Sequence, residues 1–489
     1  MASVPSYPDL IEENGIKPER ISKNSLWILI GQIGVAFLSF ITIFFMTRYL
    51  GPEKFGFYST ALSLVLVLLP FSDLGFDLCM IRSISADTSC LSYELSHTLS
   101  IKSLLAIITF GLMILVSLLL HYKSFVIGYV ALLGIYLLIF TLSQSFIGAI
   151  RSIRKMRYES IALIIGRAST TLAIFVLIFL KASLTVIILA YLLGGIILFG
   201  AAYYFLKREI RNLRLFFSLS GWQARFKEAV PFGITAILAV AYLRVDTIIL
   251  SKFQDAASVG LYNSAQNVIS GSMMLASPLA VAIFPALAAV YQARREEAEQ
   301  IFRKGMTFIL LIGLPLGLGV ALMAESLVKF AYGAKFILAI PLLTIVAIKI
   351  PIMFSTFFIG NSLGAIGYQK KVAIVAAVNV VFNIIMNLLL IPSYGAKAAA
   401  IITVCTELLG LIQYVFILRS RLNPKIFPSL ARIIICSLAG VISFVIFKGV
   451  IGPWPSAAIF AIIYSALALI FGLVSISAIR DMIFSRSAA

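Results

Sequence analysis

Uncharged apolar runs long enough to cross a lipid bilayer recur from one end of the sequence to the other, and they leave the chain little freedom of fold. A transmembrane helix needs about 20 mostly apolar residues. Fourteen such runs can be cut, roughly 26–46, 57–81, 101–120, 125–148, 160–180, 184–206, 230–250, 261–289, 306–325, 337–360, 372–391, 396–418, 430–450 and 456–478. In hydrocarbon every backbone N–H and C=O must find an internal partner, so these runs read as helices. The composition agrees: 61% of residues are hydrophobic, against about 45–50% in soluble domains. The expected fold class is an all-α integral membrane protein with about fourteen transmembrane helices.

The first 25 residues are polar, carry Asp9, Glu12, Glu13 and Glu19, and read as a cytosolic lead-in rather than a cleavable signal. No hydrophilic stretch is large enough for an extramembrane catalytic or ligand-binding domain. Four cysteines and two histidines are scattered without metal-ligand spacing, so neither a zinc site, a disulfide framework nor any other cofactor is expected.

A net charge of +19 invites a nucleic-acid reading until it is placed on the loops. With a cytosolic N-terminus, inner segments hold 27 of the 39 Lys and Arg residues, Arg82 and Lys102 among them, outer ends hold 9, and 3 fall inside spans. That asymmetry is the positive-inside rule. It places both termini in the cytosol of a multi-pass protein of the cell membrane, and it leaves no charge to assign to nucleic acid.

The chain also repeats itself. "TRYLGPEKFGFYSTA" from Thr47 and "SKFQDAASVGLYNSA" from Ser251 align without a gap at an offset of 204, sharing Gly56/Gly260, Tyr58/Tyr262 and Ala61/Ala265. A second landmark, Gly-Ala-Ile at Gly148 to Ile150 and at Gly364 to Ile366, precedes a basic inner loop in each half. The landmarks lie six spans apart, an even number, so the halves keep one orientation and form a parallel repeat. The organisation expected is a lead-in at 1–25, a six-helix lobe at 26–206, an amphipathic cytoplasmic linker at 207–230, a second six-helix lobe at 231–418, and two further helices within 430–478. The linker interleaves Leu213, Phe216, Phe217, Trp222 and Phe226 with six basic residues, which suits a segment lying on anionic lipid. Within the repeated loop, Gly56 and Gly260 would each admit a tight turn, and Tyr58 and Tyr262 would sit among headgroups.

Charge at mid-bilayer costs about 2.5–3.5 kcal/mol or more, so buried polar residues mark a cavity or a partner. Arg244 and Asp246, in "YLRVDTIIL", stand opposite Phe40 and Thr42 of the first copy. Arg244 either snorkels outward or faces an anion-binding cavity. Lys349 and Glu407 sit near the middles of the tenth and twelfth spans; either they pair, or Lys349 contacts an anion and Glu407 is a proton or sodium site. Arg167 reads as snorkelling to the inner surface. Asp73 and Asp77, four apart on one helix face and near Arg82, read as an inner-gate or capping pair. Asn379, Asn383 and Asn387 form one stripe, and Asn263, Gln266 and Asn267 another; such amides are either helix–helix glue or the wall of a wet cavity that bonds sugar hydroxyls. Pro70, Gly75, Pro278 and Pro285 would bend the second and eighth helices.

The residues from Ser22 to Arg421, above all "RYLGPEKFGFYSTALSLVLVLLPFSDLGFD", the R-x-D with "VGLYNSA", and "NLLLIPSYGAKAAAI", resemble the Wzx-type polysaccharide flippases. Their superfamily also holds the multidrug-and-toxin extruders and the lipid II flippases. The resemblance implies a two-lobed, fourteen-helix exporter that works by alternating access on a sugar carried by an isoprenoid phosphate or pyrophosphate. It implies cationic cavity residues for that headgroup, with Arg244 and Lys349 as the candidates here; from their buried charge, Glu407 and Asp246, with Asp73 and Asp77, are the coupling or gating candidates. The expected partners are a lipid-linked oligosaccharide, membrane lipids and H+ or Na+, with the protein a monomer. No P-loop is present. The rival readings are a cation-coupled drug exporter of the same fold and, from another class, a membrane glycosyltransferase or polymerase. The latter needs a large outer loop that this sequence lacks.

Overall fold

The computed structural model describes residues 18–210, 213–218, 222–291, 294–422 and 427–473. Among these residues the regular structure is helical throughout: α1 (Pro18–Leu68), a 3-10 turn (Leu69–Ser72), α2 (Phe76–Ala86), α3 (Leu91–Leu119), α4 (Ser124–Ser152), α5 (Met156–Phe179), α6 (Leu184–Glu209), α7 (Trp222–Phe253), α8 (Ala256–Val290), α9 (Arg295–Leu322), α10 (Ala324–Tyr332), α11 (Ile340–Ala347), α12 (Lys349–Ala365), α13 (Gln369–Arg419), α14 (Phe427–Ile451) and α15 (Pro453–Ile470). Ten of the described helices are long and apolar enough to cross a membrane. The segments Ala334–Ala347 and Lys349–Ala365, bent by 41°, pass that test together. The protein is a multi-pass, multi-helix membrane protein.

Two of the long helices, α1 and α13, run 51 residues each and are interrupted by one non-helical glycine, Gly51 (φ 72°) and Gly395 (φ 59°). The repeated loop therefore turns at Gly51 in the first copy and at Gln254–Asp255, between α7 and α8, in the second. Gly56 and Gly260 are helical and serve another purpose. A Cβ on Gly56 would lie 1.7 Å from the Ala256 carbonyl oxygen, and one on Gly260 would lie 1.9 Å from that of Pro52. Tyr58 and Tyr262 are 2% and 0% exposed, so they are interior residues and not headgroup-belt aromatics. The second span breaks as expected around Pro70 and Gly75: Pro70 begins the 3-10 turn, and Leu74 and Gly75 take positive φ of 46° and 90°. The backbone of α8 is helical across Ala256–Val290, while the side chains of Pro278 and Pro285 lie outside the described residues.

The chain divides into two compact units. One holds the chain up to Met46 with Ala61–Val240; the other holds Thr47–Thr60 with the chain from Ala241 onward. The first unit has a core in which Met80, Ile84, Leu95, Ile147, Ile150 and Leu206 meet. The second has a larger one, with Phe302, Phe336, Phe354 and Phe358 fully buried. Within the second unit α14 and α15 pack together, and the Tyr464 hydroxyl donates to the Leu311 carbonyl of α9 at 2.7 Å.

Candidate functional site

Four helices of the second unit bring their polar residues to one cluster. α7 carries Tyr242 and Asp246 one turn apart, α8 carries Tyr262 and Gln266 at the same spacing, and the second arm of α13 carries Thr403 and Glu407 likewise. α12 begins at Lys349 directly after the 41° break, with Pro351 in its first turn, where the missing N–H is harmless. That break places a lysine at the head of a helix, 6% exposed.

Glu407 accepts hydrogen bonds from the Tyr242 hydroxyl at 2.6 Å and the Thr356 hydroxyl at 2.5 Å. Lys349 Nζ lies 3.7 Å from its other charge partner, Glu407 Oε2. The ammonium donates to Thr403 Oγ1 at 3.3 Å and stands 5.8 Å from the centre of the Tyr242 ring. Of its three N–H donors, one is engaged in a hydrogen bond with a described residue. Lys349 and Glu407 therefore pair, at a separation that keeps the lysine's donors largely free.

Asp246 is 5% exposed. It accepts a hydrogen bond from the Tyr262 hydroxyl, which in turn accepts from Gln266 Nε2 at 2.6 Å. Its Oδ1 also takes the Thr247 N–H at 2.7 Å. Both Lys349 and Arg244 lie within electrostatic reach of this carboxylate. Arg244 is half-buried and makes no hydrogen bond or ion pair with a described residue; its electrostatic neighbours are Asp246 and the hydroxyls of Tyr58 and Tyr262. The cluster holds two cations and two carboxylates, so it is close to neutral as a group. The sequence located all four charges. Tyr262 reads from the sequence as a headgroup-belt aromatic, and Tyr242, Thr356 and Thr403 carry no signal there, although each stands four residues from, or directly opposite, one of the charged residues.

The amide stripes divide differently. Asn263 is 5% exposed and donates to the Val259 carbonyl at 3.0 Å. Asn267 is half-buried and makes no hydrogen bond with a described residue. Asn379, Asn383 and Asn387 are 6%, 2% and 0% exposed. Asn383 Nδ2 donates to Thr406 Oγ1 at 3.2 Å, Asn387 Nδ2 to Asn383 Oδ1 at 2.8 Å, and Gln413 Nε2 to Asn379 Oδ1 at 3.2 Å. A Cβ on Gly410 would lie 2.5 Å from Asn379 Nδ2. Asn379 and Asn383 thus bond across the two arms of α13, and Asn387 bonds Asn383 within the first arm, the contacts that the helix–helix glue alternative calls for.

The first unit has its own charged cluster. Lys102 of α3, counted above with the inner loops, is 0% exposed. Its Nζ lies 3.0 Å from Asp73 Oδ1 and 2.6 Å from Asp77 Oδ2, and it donates to the Thr141 carbonyl at 2.9 Å. Ser145 donates to Asp77 Oδ1 at 2.6 Å. Asp73 also accepts the N–H groups of Gly75 at 3.1 Å and Asp77 at 3.3 Å, so it caps the start of α2. The partner of the aspartates is Lys102, not Arg82. Arg167 is half-buried beside Tyr136, with its Nε buried and without a hydrogen-bond partner among the described residues. No group of three or more metal-ligating side chains occurs among the described residues.

Residues 21–291 match the family model described as "Polysaccharide biosynthesis protein", and residues 231–389 match the MatE model. The probable low-salt glycan biosynthesis flippase Agl15 of Haloferax volcanii is 24% identical over 220 residues, which is 45% of this chain and 45% of that protein; the match thus spans under half of that relative. A putative O-antigen transporter of Shigella flexneri is 22% identical over 398 residues, 78% of this chain and 93% of that one. Among solved structures, the lipid II flippase MurJ in an inward closed conformation superposes with a TM-score of 0.75 at 16% identity, covering 94% of this chain and all of that one. The fold is that of these transporters. With more than half of its length inside the first family pattern, and a helical membrane fold to match, the chain belongs to the polysaccharide biosynthesis protein family.

Proposed function

We propose that the protein turns a lipid-linked oligosaccharide over from the cytoplasmic to the outer leaflet of the cell membrane by alternating access, without catalysing a chemical step. An oligosaccharide carries many hydroxyls, each costing about 2–7 kcal/mol to bury unpartnered, so unaided flipping is negligibly slow. The observation that carries the reading is Lys349: a buried ammonium with donors to spare, near-neutralised by a carboxylate 3.7 Å away, is a ready receptor for a phosphate or pyrophosphate. Arg244, without a hydrogen-bonded partner among the described residues, supplies the second cation. The likeness to the glycan biosynthesis flippase Agl15 and to the O-antigen transporter supports the substrate class.

In this reading the chain makes fourteen passes, with α1 and α13 each counting twice at Gly51 and Gly395, both termini cytosolic, and lobes at 26–206 and 231–418. It acts as a monomer. When the headgroup takes Lys349, Glu407 loses its counter-charge and becomes the site for H+ or Na+, with Asp246 as the second carboxylate of the cluster. Gln266 and Asn267, half-buried on α8, are the amides placed to meet sugar. The MatE match over 231–389 favours one alternative, cation-coupled export of an organic cation through the same helices.

The test is reconstitution in liposomes with a fluorescent lipid-linked sugar, scored for transfer to the opposite leaflet, alongside efflux of a cationic dye. Transfer of the sugar lipid, weakened by Lys349→Gln and by Arg244→Gln, is expected. Dye efflux without sugar transfer would move the protein to the alternative.

A further inference from the structure

The segment that joins the two sequence halves does not hang between them: its described parts are fastened to the first unit. Leu213–Ser218 runs beside α3, where Ser96 and Ser100, one turn apart, receive it. The Phe216 N–H donates to Ser96 Oγ at 3.2 Å, and the Ser218 N–H donates to Ser100 Oγ at 3.0 Å. Each serine meanwhile spends its own hydrogen on its helix, Ser96 on the Ser92 carbonyl at 2.6 Å and Ser100 on the Ser96 carbonyl at 2.7 Å. Further along, Arg225 forms a two-pronged ion pair with Glu94 of α3. Next, Ala229 and Gly233 of α7 press on the turn at Leu74–Gly75. A Cβ on Gly75 would lie 2.7 Å from the Ala229 carbonyl oxygen, and one on Gly233 would lie 2.8 Å from Leu74 Cα. That turn is itself built by Asp73, which holds the Gly75 N–H and Lys102.

We infer that these contacts are a releasable strap: docked as seen here, and undocked once in each transport cycle. The contacts are few and local, and the strongest is the two-pronged pair of Arg225 with Glu94. On release, Ser96 and Ser100 keep their helix bonds and the freed N–H groups of Phe216 and Ser218 meet water, while Glu94, 7% exposed, exchanges Arg225 for water that enters as the strap leaves. Gly75 and Gly233 offer backbone against backbone with no side chain to unhook. The apolar hold is small: Phe76, Ile101 and Ala229 are its only fully buried members among the described residues, with Cys79 and Phe226 at its edge. The unit's own core has four times as many. The strap also leads straight into the charged cluster, because α7 belongs to the first unit as far as Val240 and to the second from Ala241, with Tyr242 and Asp246 just beyond. Undocking its inner end is thus a direct way to move the groups proposed to hold the headgroup. The inference rests on the transport reading for its role, though docking itself does not.

Cys79 is a native reporter, half-buried beneath Phe226 and Ala229. With Cys90, Cys405 and Cys436 replaced by Ser, a water-soluble maleimide applied to inverted vesicles should label Cys79 slowly. Arg225→Glu should raise that rate about tenfold, the scale of an ordinary conformational coupling, and Glu94→Arg added to it should bring the rate back. Unchanged labelling in Arg225→Glu would overturn the docked state regardless of what the protein transports. In a background also lacking Cys79, a disulfide between Ser100→Cys and Ser218→Cys should stop sugar-lipid transfer, and reduction should restore it. Full-rate transfer by the crosslinked protein would show that the strap never needs to leave. A chain that transfers no sugar lipid even when reduced counts against the transport reading, and the labelling result then decides the strap alone.

Discussion

Gly56 and Gly260 meet reciprocally, each lying where a side chain would strike the backbone four residues before the other, at Ala256 and at Pro52. These four residues are two pairs at the repeat offset of 204. The contact is therefore nearly self-complementary, as an interface between two copies of one patch must be. Gly56→Ala should force the hairpins apart. Overpacking of this kind costs about 1–3 kcal/mol, toward the top of that span because the obstructing atoms are backbone. Gly260→Ala should match it. Thermal unfolding in detergent checks the pair, and equal losses are expected; a loss confined to one position would break the reciprocity.

Lys102 offers a second test. It is fully buried between two carboxylates, so Lys102→Met leaves Asp73 and Asp77 facing each other without a cation. Removing one partner of a buried pair typically costs about 3–5 kcal/mol. The low end is expected here because the Asp73 side chain keeps 29% exposure and water can reach it. Adding Asp73→Asn and Asp77→Asn should recover part of the loss. Yield of folded protein and melting temperature measure both, and a triple variant no better than Lys102→Met would show that the lysine acts by packing alone.

How much of this was legible beforehand follows from what a bilayer hides. Runs of apolar residues announce spans whichever way they face, so the elements could be read. Orientation within a span could not: in a soluble helix the apolar side points inward, whereas here large apolar side chains such as Phe40 and Phe416 stay 52% and 80% exposed. Buried charge broke that symmetry at Asp246, Lys349 and Glu407, which is why the second cluster was visible. Lys102 was not, because a lysine near the end of an apolar run looks the same whether it reaches for water or for an aspartate across α2. Tyr58, Tyr262 and the two helical glycines failed for a related reason. A turn, a headgroup belt and a close helix crossing all call for small or aromatic residues, and only the three-dimensional partner tells them apart.

The asparagine stripe separates two roles by measurement. Asn383 bonds Thr406 and accepts from Asn387, with almost no exposed surface. Hydrogen bonds between membrane helices average about 0.6 kcal/mol and reach about 1.7 kcal/mol. Asn383→Val should therefore lower stability by an amount in that range while leaving the apparent affinity for the sugar lipid unchanged. A tenfold loss of affinity at unchanged stability would return the residue to the cavity wall.

Lys349 and Glu407 are best tested as a cycle, because neither single change is clean. Lys349→Gln leaves Glu407 bonded by Tyr242 and Thr356 but without its cation; Glu407→Gln keeps one oxygen to accept from a hydroxyl, turns an NH2 toward the other, and frees the lysine of its carboxylate. Neighbours that share partners couple by about 0.5–3 kcal/mol, and a favourable coupling in the middle of that span suits a pair held at 3.7 Å. Function should split the two. Lys349→Gln should weaken sugar-lipid binding, since it removes the positive charge that would meet the phosphate. Glu407→Gln should preserve binding but abolish any acceleration of transfer by a proton or sodium gradient, since an amide neither takes up a proton nor supplies the charge a sodium ion needs. Transfer by Glu407→Gln that still answers to the gradient would place the coupling elsewhere, with Asp246 the next carboxylate to change.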